Sequence, residues 1–224
     1  MSQGTMEETP HHRPSGKPGV AGIGTLAATV LLALATSLIA RPALADGADG
    51  ESPDEIAARI GTEIEHGPVD AGRSVKMGRA FAVIPAPVDR VMTTITDYGH
   101  YDQFLPTFQE SRVLSQRGNN AMVYLEALVA RGTITLWAQM RLYERRPEGD
   151  TRIIEGRLVE GNISTFVARF RVSPVDDGQQ SLVEFHLLID LDMPLPSSLL
   201  TTENVRNSRK ALRALRRRVT GTAS

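Results

Sequence analysis

The chain has 224 residues, 41% of them hydrophobic and 23% charged, which is ordinary globular material with room for one domain plus appendages. Its 25 basic and 26 acidic residues leave a net charge of −1, so it lacks the global basic field that nucleic acid attracts. The absence of cysteine excludes structural disulfides, thiolate zinc sites, a cysteine nucleophile and a lipoprotein-type cysteine anchor.

Four positively charged or titratable residues, His11, His12, Arg13 and Lys17, precede an uncharged run from Pro18 to Ala40, dense in Ala, Leu and Val. Ala43-Leu44-Ala45 then fits the small-x-small pattern for signal peptidase, and acidic Asp46 follows. Residues 1–45 read as an export signal. An uncleaved anchor formed by residues 18–40 is the alternative, because that run reaches bilayer length. Either way, the remainder is expected outside the cytoplasmic membrane, in the periplasm. Residues 46–72 are rich in Gly, Asp, Glu and Pro and read as a solvated linker. Within it, Ser52-Pro53-Asp54-Glu55 has the form of a capping box, and Ile56, Ile60 and Ile64 recur every four residues. That pattern predicts a short helix.

From Arg73 the period is mostly two, and residues 73–224 read as one domain. Val75, Met77, Arg79, Phe81 and Val83 alternate with their neighbours as a strand does. Pro85 and Pro87 stop it. Val88 to Thr96 reads as a helix, with Val88, Val91, Met92 and Ile95 on one stripe. Tyr98 to Leu105 continues as a short helical or turn segment. Strands follow over Thr107–Gln116, Ala121–Ala130, Thr133–Arg145, Arg152–Val159, Ile163–Val172 and Ser181–Leu191, divided by turn signals such as Gly118-Asn119 and Asp176-Asp177-Gly178. The stretch Met122 to Val129 is apolar on both faces and does not reveal its inward side. Hairpins this closely spaced have no room for crossover helices, so the sheet is antiparallel.

Leu195 to Val219 reads as the closing helix. Thr201 or Thr202 is its expected cap, with Glu203 near the positive end of the helix dipole. Val205, Ala211, Leu212, Leu215 and Val219 form its apolar side. Arg206, Arg209, Lys210, Arg213, Arg216 and Arg217 form the adjacent side. The plainer reading of these cations is a solvated face that suits the negative C-terminal dipole. The functional reading is peripheral contact with an anionic membrane surface, at about 1 kcal/mol per near-surface charge.

Ile84-Pro85-Ala86-Pro87 with Val91, then Asp97-Tyr98, Tyr101 and Phe104-Leu105-Pro106, come in one order. Asp192-Met193-Pro194-Leu195-Pro196 before the Arg-rich helix, and Leu212 within it, complete that order. Together, over Arg73 to Arg218, they resemble the START-like helix-grip superfamily, in its polyketide cyclase/dehydrase and ubiquinone-binding branch. The resemblance implies an α+β helix-grip fold: a curved antiparallel sheet of six to seven strands wrapped around a long C-terminal helix. It also implies an apolar cavity between the two for lipids, quinones, sterols or polyketides. It carries no universal catalytic set and no cofactor. By the same analogy the lining would include Tyr124, Leu136, Met140, Phe166, Phe170, Phe185 and Leu212. Each of these also reads as plain core, because an unfilled space is not visible in a sequence.

The chemical constellations tested are sparse. His66, His100 and His186 stand in no His-x-x-x-His or Glu-x-x-His frame, so no metal is expected. No Gly-x-Ser-x-Gly elbow is present. Gly19 to Gly24 falls in the export segment and is not a phosphate loop. Three readings follow. The first is an exported, noncatalytic carrier for a hydrophobic small molecule. The second is a cyclase/aromatase-type enzyme, which needs a polar cluster deep in the cavity, with Glu126 and His186 as candidates. The third is a protein-interaction module on the same fold. An export signal opposes the second and third readings.

Overall fold

The computed structural model describes residues 50–105, 107–129, 134–191 and 193–221; the segment read as export signal or anchor, residues 1–45, lies outside them. All the described residues belong to one compact unit, Ala43–Ser224. Among them the order is α1 (Pro53–Ile60), β1 (Ile64–Val69), β2 (Met77–Ile84), α2 (Val88–Ile95), a 3-10 turn (Tyr98–His100) and α3 (Tyr101–Phe104). Then come β3 (Phe108–Arg117), β4 (Asn120–Val129), β5 (Ile134–Glu144), β6 (Arg152–Gly161), β7 (Thr165–Val175), β8 (Gln180–Asp190) and α4 (Ser197–Thr220).

The eight strands form a single antiparallel sheet in the order β1-β2-β8-β7-β6-β5-β4-β3. The expectation was six to seven strands, and the extra one is β1, inside the stretch read as linker. Its Glu65-His66-Gly67-Pro68 sequence does not look like a strand, because an edge strand needs only one paired side. Pro68 is tolerated there for the same reason. The short helix expected ahead of it forms as α1. Ser52 N–H donates to Glu55 at 2.6 Å and Glu55 N–H to Ser52 Oγ at 3.3 Å, the two bonds of a capping box. Ile56 and Ile60 pack on Phe81, Val175 and Leu182, so α1 covers part of the sheet's outer face.

The inner face is set by the strand period. Ala80, Ala82 and Ile84 of β2, Val123 and Leu125 of β4, Ala138, Met140 and Leu142 of β5, and Phe170 and Val172 of β7 join one buried cluster. α2 contributes Val91, Met92 and Ile95 to that cluster, and α4 contributes Leu212, Leu215 and Val219. On β4, where the sequence left the inward side open, Val123, Leu125 and Ala127 are buried while Met122, Tyr124 and Glu126 are half-buried on the other face.

α4 starts differently from the expectation. Its first flanking residue is Pro196, which makes no side-chain cap, so Thr201 and Thr202 lie in the second turn. There Thr202 donates to Ser198 C=O at 2.8 Å, while Thr201 accepts from Lys76 N–H at 3.0 Å. Thr201 therefore ties α4 to Lys76, the residue just before β2, instead of closing a helix end.

Candidate functional site: an apolar cavity beneath the last helix

Between the inner sheet face and α4 lies a cavity of about 510 Å³, within the range that encloses a drug-sized ligand. It exists because small residues occupy the positions that would otherwise fill it. Ala127, Ala138, Gly156, Ala168 and Ala211 all lie on its wall, one each from β4, β5, β6, β7 and α4. At Gly156 even a Cβ would be too much, since it would stand 2.6 Å from Leu142 Cδ2. Large apolar groups complete the wall, including Phe170 and Phe185, cross-strand partners whose rings stack at 4.2 Å.

The structure brings together five of the seven lining residues expected from the sequence: Leu136, Met140, Phe166, Phe170 and Phe185 all line the cavity. Two expectations are corrected. Tyr124 belongs to the outward set of β4; its hydroxyl donates to Glu126 at 2.9 Å, its ring stacks on Trp137, and the Arg112 guanidinium lies over it. The apolar tally on both faces of β4 concealed this parity. Leu212 is fully buried within the core cluster and does not reach the cavity; its neighbour Ala211 does. The cavity stripe of α4 is instead Leu199, Glu203, Asn207 and Ala211 at four-residue spacing, with Leu200 and Asn204 beside it. That stripe was readable in the sequence as a period of four, but its polar members hid it.

The polar groups on the wall divide into two sets. Tyr101 Oη donates to Ile95 C=O at 2.6 Å, and burial pushes its phenol well above the usual tyrosine range. Asn204 is buried; its amide donates to Lys76 C=O at 3.1 Å and to Ile189 C=O at 3.2 Å, and its Oδ1 accepts from Ile189 N–H at 3.1 Å. Both side chains are committed to the backbone. Thr107, Glu203 and Asn207 are only half-buried. Met193, Leu195 and Leu199 also line the cavity, yet are 37%, 38% and 46% exposed, and they mark its mouth.

Glu126 and His186, the candidates for a deep polar cluster, are outward residues of β4 and β8. His186 lies buried between Arg79 and Arg169 in the strand register, with Nε2 2.9 Å from Glu184 Oε1. This belongs to an ionic layer on the outer face. Beside it, buried Glu155 accepts from Tyr143 at 2.7 Å and Arg157 Nε at 2.6 Å, and pairs with Arg169 at 3.3 Å. Burial alone would raise the Glu155 and Glu184 carboxyls. The hydrogen bonds and guanidinium groups around them outweigh it and hold both below the usual carboxylate range. His100 pairs with Asp97 at 2.6 Å on the surface. No group of three or more metal-ligating side chains occurs among the described residues.

The basic residues of α4 do not act alike. Arg206 pairs with Glu203 at 3.0 Å. Arg216 donates to Thr62 C=O at 2.7 Å, holding the turn before β1. Arg209, Lys210 and Arg213 are exposed and Arg217 is half-buried.

A sheet closed by a long C-terminal helix over an apolar cavity is a hydrophobic-ligand-binding fold, and comparison with known proteins agrees. Residues 84–216 match the model of the family described as polyketide cyclase/dehydrase and lipid transport, and the chain belongs to that family. Among solved structures it is similar to a START superfamily protein from Mycobacterium smegmatis, with TM-score 0.57, 17% identity, and coverage of 66% of this chain and 99% of that one. It is similar too to a STAR-related lipid transfer protein from Xanthomonas axonopodis, with TM-score 0.62, 17% identity, and coverage of 80% and 98%. A third likeness is to an aromatase/cyclase from Streptomyces sp. R1128, with TM-score 0.50, 16% identity, and coverage of 70% and 94%. At these identities the structural likeness speaks to the fold alone. No curated protein matches the sequence.

Proposed function

We propose that this protein is an exported, periplasmic carrier of a hydrophobic small molecule, such as a lipid, a quinone or a polyketide-like compound. The observation that supports this most is the distribution of polarity in the cavity. Its interior is hydrocarbon and aromatic ring, and the polar side chains Thr107, Glu203 and Asn207, none of them tied to the backbone among the described residues, are all half-exposed. An apolar ligand gains there by leaving water, at roughly 25 cal/mol per Å² of apolar surface. A cyclase needs a proton-shuttling side chain against its substrate. The two residues considered for that task, Glu126 and His186, are on the other face of the sheet, which favours the carrier over the enzyme.

In this account the ligand passes through the mouth at Met193, Leu195 and Leu199, whose exposed side chains suit the apolar part of a bilayer interface. Arg209, Lys210, Arg213 and Arg217 add attraction to anionic headgroups. The run at residues 18–40 directs export or holds the protein on the cytoplasmic membrane.

Two measurements test this reading. Fusing residues 1–50 to a phosphatase that is active only outside the cytoplasm should give an active reporter; an inactive one overturns export. Transfer of a fluorescent apolar probe between vesicles should accelerate on adding the protein, more so with anionic donor vesicles. Transfer at the unassisted rate contradicts the carrier role.

A further inference from the structure

The cavity wall also indicates which end of a ligand enters first and what its polar end must be, an inference that rests on the carrier reading above. Toward the interior, the two polar side chains are spent: Tyr101 on Ile95 C=O, and Asn204 on Lys76 and Ile189. A ligand hydroxyl or carbonyl seated there would meet no free side-chain partner among the described residues, at a cost of about 1–3 kcal/mol. On the half-exposed part of the wall, Asn207 has no side-chain hydrogen bond among the described residues, and Glu203 is held only by Arg206 at 3.0 Å. That pair is exposed on both sides, 57% and 41%, and such pairs contribute little. The Glu203 carboxylate is therefore available to a ligand, and among the described residues it is the only charged side chain on the wall.

We propose that the cavity selects amphiphiles bearing an uncharged hydroxyl head, seated apolar end first, with the hydroxyl donating to Glu203 and hydrogen-bonded to Asn207 at the rim. A carboxylate head of the same chain length is disfavoured, because it would place a second negative charge against Glu203 and has no proton to donate. Sites built to accept a hydrogen bond reject analogues that lack the donor. Arg206 does not reverse this sign, since it is not among the lining residues and its side chain is 57% exposed, where solvent screens its charge.

The test is displacement of Nile red, an uncharged dye, from the delipidated protein at pH 8 by dodecan-1-ol and by dodecanoate. The alcohol should displace the dye at a concentration at least tenfold lower than the carboxylate. Glu203→Gln should bring the two within about threefold, and Arg206→Gln should widen the gap. Asn207→Leu should weaken the alcohol while leaving the carboxylate unchanged. Equal displacement by both amphiphiles, or a ratio unmoved by Glu203→Gln, overturns the head-group assignment and leaves the carrier reading standing. A protein that takes up neither dye nor amphiphile overturns both.

Discussion

Gly78 of β2 lies directly against the backbone of Asn204 in α4: a Cβ at position 78 would stand 2.2 Å from the Asn204 carbonyl oxygen. The same turn of helix is pinned by the Asn204 side chain, which bridges Lys76 and Ile189 just beyond the point where the β2–β8 ladder ends at Gly78 and Leu187. α4 is thus seated at backbone distance along β2, while on its other side it stands away from β4 to β7 and roofs the cavity. The asymmetry of this seat is what leaves room for a ligand.

Gly78→Ala therefore forces backbone apart from backbone, where no flexible side chain can yield. We expect a loss of about 1–3 kcal/mol in chemical denaturation, the usual cost of overpacking. Asn204→Leu should lose a similar amount, because it strands the Ile189 N–H and two carbonyls. Wild-type stability for both variants would show that α4 is not seated in this way.

Ala168→Leu separates a cavity from a core. Ala168 faces Gly156 across the β6–β7 ladder and lines the empty space, so the larger side chain should enter the cavity. Affinity for an apolar probe should fall at least tenfold while thermal stability holds or rises. A large loss of stability would mean that the position is already filled.

Leu212→Ala should behave in the opposite way. The side chain is fully buried in the cluster shared by the sheet, α2 and α4. Its truncation should cost about 2–5 kcal/mol, with probe affinity of the folded fraction unchanged.

The ionic layer predicts a pH dependence. The Glu155 carboxyl is held below its unfolded value of about 4.3. Its contribution is present above that pH and is lost as pH falls through the lower folded value. Stability measured against pH should decline on the acid side, and Glu155→Gln should make that decline shallower. Glu155→Gln should also lower stability at pH 7, because Arg157 and Arg169 lose their shared acceptor. An acid limb identical to that of the wild type would contradict the assignment.

Much of this architecture was legible in the chain. The period of two placed the strands from Met77 onward, Pro85 and Pro87 marked where the first of them stops, and Ser52 with Glu55 announced α1. β1 was not legible, because an edge strand carrying Gly67 and Pro68 needs no alternation to pair on one side. Within the site, the family resemblance applied to alternate strand positions led to Phe170 and Phe185, whereas it misplaced Tyr124, because β4 is apolar on both faces. Leu212 was misplaced for a different reason. An amphipathic helix has one apolar side, but here that side is shared between a filled core and a void. Which residue faces which depends on the small side chains at Gly156, Ala168 and Ala211, far apart in sequence.

The most direct test of the central claim is native mass spectrometry of the protein purified without detergent, followed by solvent extraction of what it carries. The account predicts a discrete added mass that extracts as an apolar compound and is lost in Ala168→Leu. An empty protein that gains no mass after exposure to a total lipid extract would contradict it.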